Sequence, residues 1–332
     1  MRVCVLGTGA WGTVLAQVLA DAGHHVIMWG RNAAVVEEIH SRHSNEHFLP
    51  GSALPHSLNA TTDIELALTA VDAAVIAIPA QTLRENLRNW KHYLSSDLPL
   101  ISTLKGIEAQ SYSRMTEIIA EELEISLDRV GLLTGPNLAA ELIVRQPAGA
   151  VGASPSRSMQ DLMIELFTTE YFRIYPSDDL VGCELAGATK SIIALAVGMA
   201  IGLGYGENTQ AMIITRGLGE VARFGAAYGA NPLTNLGLAG MGDLIASCGS
   251  PLSRNRTFGE VLGRTGSLEA ARLEAGKTVE GVASAAAILE LAHQVGVVVP
   301  IIEVVSDVVQ NGLTPNEGMK RLMTISLAAE LQ

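Results

Sequence analysis

Lys190 stands in Leu185-Ala186-Gly187-Ala188-Thr189-Lys190-Ser191-Ile192-Ile193-Ala194, and its helical neighbours Ala186, Ala194 and Val197 are all apolar. A lysine in such a setting must snorkel, pair or titrate. Desolvation and nearby cations lower a lysine pKa, which turns an ammonium into a usable general acid or base near neutral pH. A snorkelling lysine at a helix start is the structural alternative. Lys105-Gly106 follows the β-run Leu100 to Thr103, and Gly135-Pro136-Asn137 follows Gly131 to Thr134 in the same way. Both sit where open α/β sheets bind ligands, at the carboxyl ends of strands, although a solvated loop lysine fits position 105 equally well.

Two further segments carry groups suited to an anion. Gly237-Leu238-Ala239-Gly240-Met241-Gly242-Asp243 leads into a helix-like stretch from Leu244 to Cys248, and the default reading of Asp243 is its N-cap. Ser253-Arg254-Asn255-Arg256 precedes another helical stretch, offering hydroxyl, guanidinium, amide and free N–H groups that suit a phosphate. A capping serine with exposed arginines explains that segment equally well. His40, His43 and His47 are spaced for one helical face. Ser44-Asn45-Glu46 and Phe48-Leu49-Pro50-Gly51 read as a helix end and loop, and no acidic or cysteine ligand completes a metal set.

Gly7-Thr8-Gly9-Ala10-Trp11-Gly12 matches G-x-G-x-x-G, a weak pattern alone in a chain with 33 glycines. Its context is specific: it follows the β-run Val3 to Leu6 and opens the helical pattern Thr13 to Ala22. In that arrangement Gly7 permits the tight turn, Gly9 lets backbone approach a pyrophosphate, and Gly12 allows close helix-to-strand packing. The loop therefore predicts a nicotinamide dinucleotide site. At the end of the second β-run, Val26-Ile27-Met28-Trp29, the chain has Gly30-Arg31-Asn32 and no acid for the ribose 2′-OH. Arg31 would instead pair with a 2′-phosphate, which predicts NADPH as the preferred cofactor with NADH tolerated. A solvated surface arginine is the bland reading.

The elements that must position these groups alternate in the first half. β-runs at Val3 to Leu6, Val26 to Trp29, Ala73 to Ile78, Leu100 to Thr103, Gly131 to Thr134 and Gly149 to Ala153 are interleaved with helical patterns, predicting βαβ units and a parallel sheet of six or more strands. After about Asp178 long helical patterns take over: Leu185 to Leu203, Asn208 to Tyr228, Ser253 to Gly263, Glu280 to Val295 and Ile301 to Gln310. The expected domains are 1–178, a dinucleotide-binding α/β domain, and 179–332, an all-α substrate domain.

Bulk properties narrow the function. With 48% hydrophobic and 17% charged residues the 332-residue chain is a packed globular protein. Its 22 basic against 34 acidic residues give −12, which argues against a nucleic-acid partner and requires a locally basic site for any anionic ligand. Cys4, Cys183 and Cys248 are odd in number and widely spaced, fitting a reducing compartment. The glycine loop begins within seven residues of Met1, leaving no room for a signal peptide, so a cytoplasmic location is expected. Ala186 to Tyr205 approaches bilayer-spanning length but holds Lys190 and four glycines, and reads as a core helix.

Taken in order, these segments resemble the bacterial NAD(P)-dependent glycerol-3-phosphate dehydrogenase family over essentially the whole chain. The resemblance is carried by Gly7 to Thr13, Leu104-Lys105-Gly106-Ile107-Glu108, Gly135-Pro136-Asn137, Gly187 to Leu195, Ile214-Thr215-Arg216-Gly217-Leu218, Gly240-Met241-Gly242-Asp243-Leu244, Ser253-Arg254-Asn255 and Val279-Glu280-Gly281. It implies a Rossmann doubly wound sheet followed by an all-helical domain of the 6-phosphogluconate-dehydrogenase-like type, with the active site in the cleft between them. The implied reaction is reversible hydride transfer between NAD(P)H and dihydroxyacetone phosphate, giving sn-glycerol 3-phosphate for phospholipid synthesis. Lys190 is then the catalytic acid/base. Lys105, Gly135, Asn137, Asp243, Ser253, Arg254 and Asn255 complete the substrate side. The cofactor side comprises Gly7, Gly9, Ala10, Trp11, Gly12, Arg31, Lys105, Ala139, Arg254 and Glu280. Two departures stand out: Asn137-Leu138 where the family usually has Ser-His, and Thr189-Lys190-Ser191 where Leu-Lys-Asn or Val-Lys-Asn is usual. Ketopantoate reductases and β-hydroxyacid dehydrogenases share the architecture but recognise a carboxylate, and a non-catalytic NADPH sensor would bind without turnover. A homodimer is left open.

Overall fold

The β-run ahead of the glycine loop forms β1 (Arg2–Leu6), which pairs in parallel with two strands at once, Val3 facing Val26 of β2 (His25–Trp29) and Ala73 of β4 (Ala73–Ile76). The computed structural model describes residues 1–275 and 279–324, so the expected second domain extends past the described residues at 276–278 and 325–332. Val3, Cys4, Val5 and Leu6 are all fully buried, as a strand covered on both faces requires. Val3 and Val5 join one apolar cluster while Cys4 and Leu6 join another, so the period-2 alternation feeds both faces of one sheet.

That sheet adds β3 (Asn59–Thr61), β5 (Leu100–Ser102), β6 (Val130–Thr134), β7 (Ala148–Ala153) and β8 (Phe172–Ser177), in the order β3-β2-β1-β4-β5-β6-β7-β8. The first six strands show the doubly wound order and direction. β7 departs from the parallel expectation and runs antiparallel to β6, because the connection carries only the one-turn α6 (Ala139–Leu142) and no helical crossover. β3 gave no sequence signal, being a short edge strand of Asn59-Ala60-Thr61. β8 is the other edge, and its Pro176 is tolerated there for want of a ladder partner on the outer side. The helices of this part are α1 (Ala10–Asp21), α2 (Ala33–Arg42), α3 (Ile64–Leu68), α4 (Leu83–Trp90), α5 (Met115–Leu123) and α7 (Arg157–Phe167).

The chain divides into two compact units, residues 1–104 with 113–180, and residues 105–112 with 181–332. A plain division near 178 would put 105–112 in the sheet unit. Ile107 and Tyr112 instead pack into the helical core, which takes that segment with it. Helices of the second unit are α8 (Leu180–Gly202), α9 (Glu207–Ala227), α10 (Asp243–Gly249), α11 (Arg254–Thr265), α12 (Leu268–Ala275), α13 (Glu280–Gln294), α14 (Pro300–Gln310) and α15 (Pro315–Thr324).

Within that unit α8 is the central beam. Among the described residues it is the one helix long and apolar enough to cross a membrane, yet its Ile192, Ile193, Leu195 and Val197 are buried in the helical core. Its glycines explain how tightly it packs. A Cβ at Gly198 would collide with Arg256 O on α11, and one at Gly259 of α11 would collide with Leu195 O on α8. The two helices therefore touch backbone to backbone, a distance only glycine permits.

Candidate active site

In the sheet unit the fingerprint glycines have different jobs. Gly7 has φ +131 and its N–H donates to Trp29 O at 2.8 Å, and a Cβ there would run into Ala77 O. A Cβ on Gly12 would strike Gly7 O. Gly9 has nothing within 4 Å of the place a Cβ would take. Protein packing dictates the outer two glycines, while the middle one faces open space at the N-cap of α1, where no side chain caps the helix and no acid sits in its first turn. Ala10 and Trp11 open that helix. Free N–H groups, the helix dipole and an open cradle fit a pyrophosphate.

The parallel strands β1, β2, β5 and β6 point their carboxyl ends to one edge. Arg31 is exposed there, one residue past Gly30, and a Cβ on Gly30 would collide with the Thr8 side chain of the loop. Asn32 accepts from Ala34 N at 3.0 Å and caps α2, leaving Arg31 as the cation next to the loop. Gly135 follows β6 with φ +144, and the Asn137 amide beyond it is buried with neither Nδ2 nor Oδ1 bonded to protein. Thr134 Oγ1 is likewise buried without a partner. Ala139 begins α6 just beyond. Buried polar atoms without partners are costly unless a ligand or water completes them.

In the helical unit the predicted residues converge. Lys190 Nζ, on α8, donates to Asp243 Oδ1 at 2.6 Å and to Ser247 Oγ at 2.6 Å. Lys105 Nζ donates to the other oxygen of Asp243, also at 2.6 Å. The Asp243 side chain is 3% exposed, against 12% for Lys190 and 19% for Lys105, so the carboxylate is the most enclosed of the three. Burial of the ammonium lowers the Lys190 pKa to about 8, with Asp243 opposing that shift and Lys105 adding to it. A lysine with that pKa exchanges protons near neutral pH.

Asp243 is not the cap that its position suggests. A π-helical turn, Leu238–Gly242, precedes α10, Gly242 is itself helical, and Asp243 is the first residue of the helix with its carboxylate turned to the lysines. Gly240 makes this turn possible, since a Cβ there would collide with the Asn235 backbone. Ser247 was missed by sequence reasoning. Its signal was the i, i+4 spacing from Asp243, which puts both polar groups on one face of a short apolar helix.

The remaining predicted residues flank this cluster or frame it. Ser253 caps α11, its Oγ accepting from Arg256 N at 3.3 Å, so the capping reading describes its contact. Asn255 Oδ1 accepts from Gly281 N at 3.0 Å and ties the start of α11 to the start of α13. Arg254 is the exposed first residue of α11, and Glu280 is the half-buried first residue of α13, whose charge acts on Lys190. The three histidines do not form a face: α2 ends at Arg42 and His43 has φ +50. Among the described residues no group of three or more His, Cys, Asp or Glu side chains could hold a metal ion.

Two family models cover nearly the whole chain, the NAD-dependent glycerol-3-phosphate dehydrogenase N-terminus at residues 2–160 and its C-terminus at residues 179–320. A glycerol-3-phosphate dehydrogenase [NAD(P)+] of Streptomyces griseus is 47% identical over 330 residues, covering 99% of this chain and 98% of the relative. Among solved structures, glycerol-3-phosphate dehydrogenase from Coxiella burnetii superposes with a TM-score of 0.92 at 31% identity, covering 97% of this chain and 98% of that one. The Saccharomyces cerevisiae enzyme gives 0.84 at 29% identity, covering 97% and 99%. Matched from end to end in both its sheet and helical parts, the chain belongs to the NAD-dependent glycerol-3-phosphate dehydrogenase family.

Proposed function

We propose that Lys190 is the proton donor to the ketone oxygen of dihydroxyacetone phosphate as it is reduced to sn-glycerol 3-phosphate, and the acceptor in the reverse direction. The chain is an NAD(P)-dependent oxidoreductase of that family. One observation carries the role of Lys190: a buried ammonium with a pKa lowered to about 8, fixed by Asp243 and Ser247, with a second ammonium, Lys105, on the same carboxylate. A ketone accepting hydride develops alkoxide charge, and a prepositioned ammonium both stabilises that charge and discharges it by proton transfer. Lys105 adds a second cation on the same carboxylate, and Arg254 is the cation suited to the substrate phosphate. Ser253 and Asn255 support Arg254 by fixing the start of α11.

The nicotinamide cofactor, when bound, supplies the hydride. Gly7, Gly9, Ala10, Trp11 and Gly12 would hold its pyrophosphate, Arg31 its adenosine ribose edge, and the unpartnered Asn137 amide would meet a bound molecule at the same sheet edge. An arginine in place of an acid after β2 supports NADPH over NADH. Arg31→Ala should weaken NADPH use by about tenfold with NADH little changed, and equal efficiency with both cofactors before and after that change sinks the preference. Cys4 and Cys248, buried free thiols, support a reducing, cytoplasmic location, where the product would feed phospholipid synthesis.

Following NADPH absorbance with dihydroxyacetone phosphate, ketopantoate and a β-keto acid side by side tests the substrate. Turnover confined to dihydroxyacetone phosphate supports the reading, and turnover confined to the carboxylates sinks it.

A further inference from the structure

The Thr8 carbonyl, inside the glycine loop, is gripped by a side chain that lies outside the fingerprint. Asn45, in the stretch between α2 and β3, is fully buried, and its Nδ2 donates to Thr8 O at 3.0 Å and to Thr13 Oγ1 at 2.9 Å. Thr8 precedes Gly9 and Thr13 lies in the first turns of α1, so one amide group spans the open glycine. Asn45 is itself held. Its backbone carbonyl accepts from Phe48 N at 3.1 Å and Leu49 N at 2.8 Å, and the Glu38 carboxylate accepts from Ser44 Oγ at 2.9 Å and Glu46 N at 2.7 Å on either side. Leu49 and Leu54 bury the same stretch in the apolar cluster that contains Val14 and Leu15 of α1.

Gly9 has no side chain to hold it: its carbonyl accepts from Thr13 N at 2.9 Å as the first bond of α1, while the space where a Cβ would sit is open. A loop that must aim backbone N–H groups at a ligand binds more tightly when its geometry is set beforehand, because less order is lost on binding. We propose that Asn45 is a positioning residue for the dinucleotide, locking Thr8 against Thr13 so that the Gly9 backbone is aimed before the pyrophosphate arrives. This rests on the reading that the glycine loop holds the cofactor. The grip is on the loop and not on the ribose edge, so it acts on NADPH and NADH alike, whereas Arg31 acts on the difference between them.

The test uses the full chain as wild type, Asn45→Ala and Thr13→Val. Fluorescence titration gives Kd for NADPH and NADH, and kinetics give kcat, KM for dihydroxyacetone phosphate and the pH profile. Asn45→Ala should raise both dinucleotide Kd values by a similar factor, about tenfold or more. Thr13→Val, which removes one of the two acceptors, should raise them by less. KM for dihydroxyacetone phosphate and the pH limb should stay put in both variants. A cooperatively melting Asn45→Ala that binds both dinucleotides as wild type does, or weakens only one, overturns the role of Asn45. Should Asn45→Ala not fold, an unchanged Kd in Thr13→Val overturns it. A wild-type chain that binds neither dinucleotide overturns the underlying reading of the loop instead.

Discussion

Lys190 and Lys105 are held on opposite oxygens of one carboxylate, each at 2.6 Å from Asp243. Two ammoniums brought together would repel, and a single buried acid offsets that repulsion only in part. Glu280, at the start of α13, adds a second negative charge that acts on Lys190, in a chain whose net charge is −12. An anionic ligand meets these two ammoniums within a field that is repulsive at longer range. Asp243 also fixes where each ammonium points, which a flexible lysine stem cannot do alone.

The first prediction concerns the proton. Delivering it requires charged Lys190, so kcat/KM for reduction should be level at low pH and fall as pH rises through about 8. Oxidation needs the neutral amine and should rise through the same range. Lys190→Ala should lower kcat by about 100-fold or more with NADPH affinity intact. Near-normal turnover in that variant would remove Lys190 from the chemistry.

Asp243→Asn separates charge from placement. The carboxylate raises the Lys190 pKa against burial, so neutralising it lets burial and Lys105 prevail. The falling limb for reduction should move down by about one pH unit, equivalent to about 1.4 kcal/mol between protonation states. Reduction at pH 7.5 then loses more than oxidation at pH 8.5. A limb that stays in place, measured in the same buffers as wild type, would show that Asp243 does not set this proton affinity.

Part of this site was legible in the sequence. The glycine loop announces itself because strand, turn and helix are contiguous, and Lys190 is conspicuous among apolar neighbours. The Asp243 role was not local. Its partners are 53 and 138 residues away, and the adjacent residues favour a helix cap that the π-helical turn then pre-empts. Asn45 gave no signal at all, since a lone asparagine between histidines in a loop-like stretch has no periodicity. β3 was hidden for a related reason: a short edge strand needs no apolar alternation. The assignment of 105–112 to the helical unit depends on Ile107 and Tyr112 packing there, a tertiary choice that no βαβ pattern encodes.

Glu220 offers a stability prediction away from the chemistry. On α9, its carboxylate accepts from Ile301 N at 2.7 Å and Ile302 N at 3.2 Å, satisfying the first turn of α14 after Pro300. Burial raises its pKa to about 7, above the ordinary value of 4.5, against the pull of those two donors. A carboxyl whose pKa is higher folded than unfolded favours the fold below the unfolded pKa, and that contribution is lost as pH rises through about 7. Glu220→Gln should flatten this part of the stability profile between pH 4.5 and 7. Glu220→Ala orphans two buried N–H groups and should cost about 2–4 kcal/mol in denaturant unfolding. An alanine variant as stable as wild type would mean water replaces the carboxylate.

The last prediction separates packing from ligand binding within a single motif. A Cβ at Gly12 would collide with Gly7 O, a backbone atom that cannot swing aside, whereas a Cβ at Gly9 meets nothing within 4 Å, and Gly9 has an ordinary φ of −74. Gly12→Ala should therefore destabilise the chain by about 1–3 kcal/mol, the range for overpacking a rigid contact. Gly9→Ala should leave the melting temperature of the free protein unchanged and still weaken NADPH and NADH, because its methyl occupies the space through which phosphate oxygens reach the N-terminus of α1. Melting curves recorded with and without dinucleotide read both effects: Gly9→Ala should start from the wild-type temperature and lose the ligand-induced rise. A Gly9→Ala variant that keeps that full rise would mean that the space beside Gly9 is not where the pyrophosphate lies.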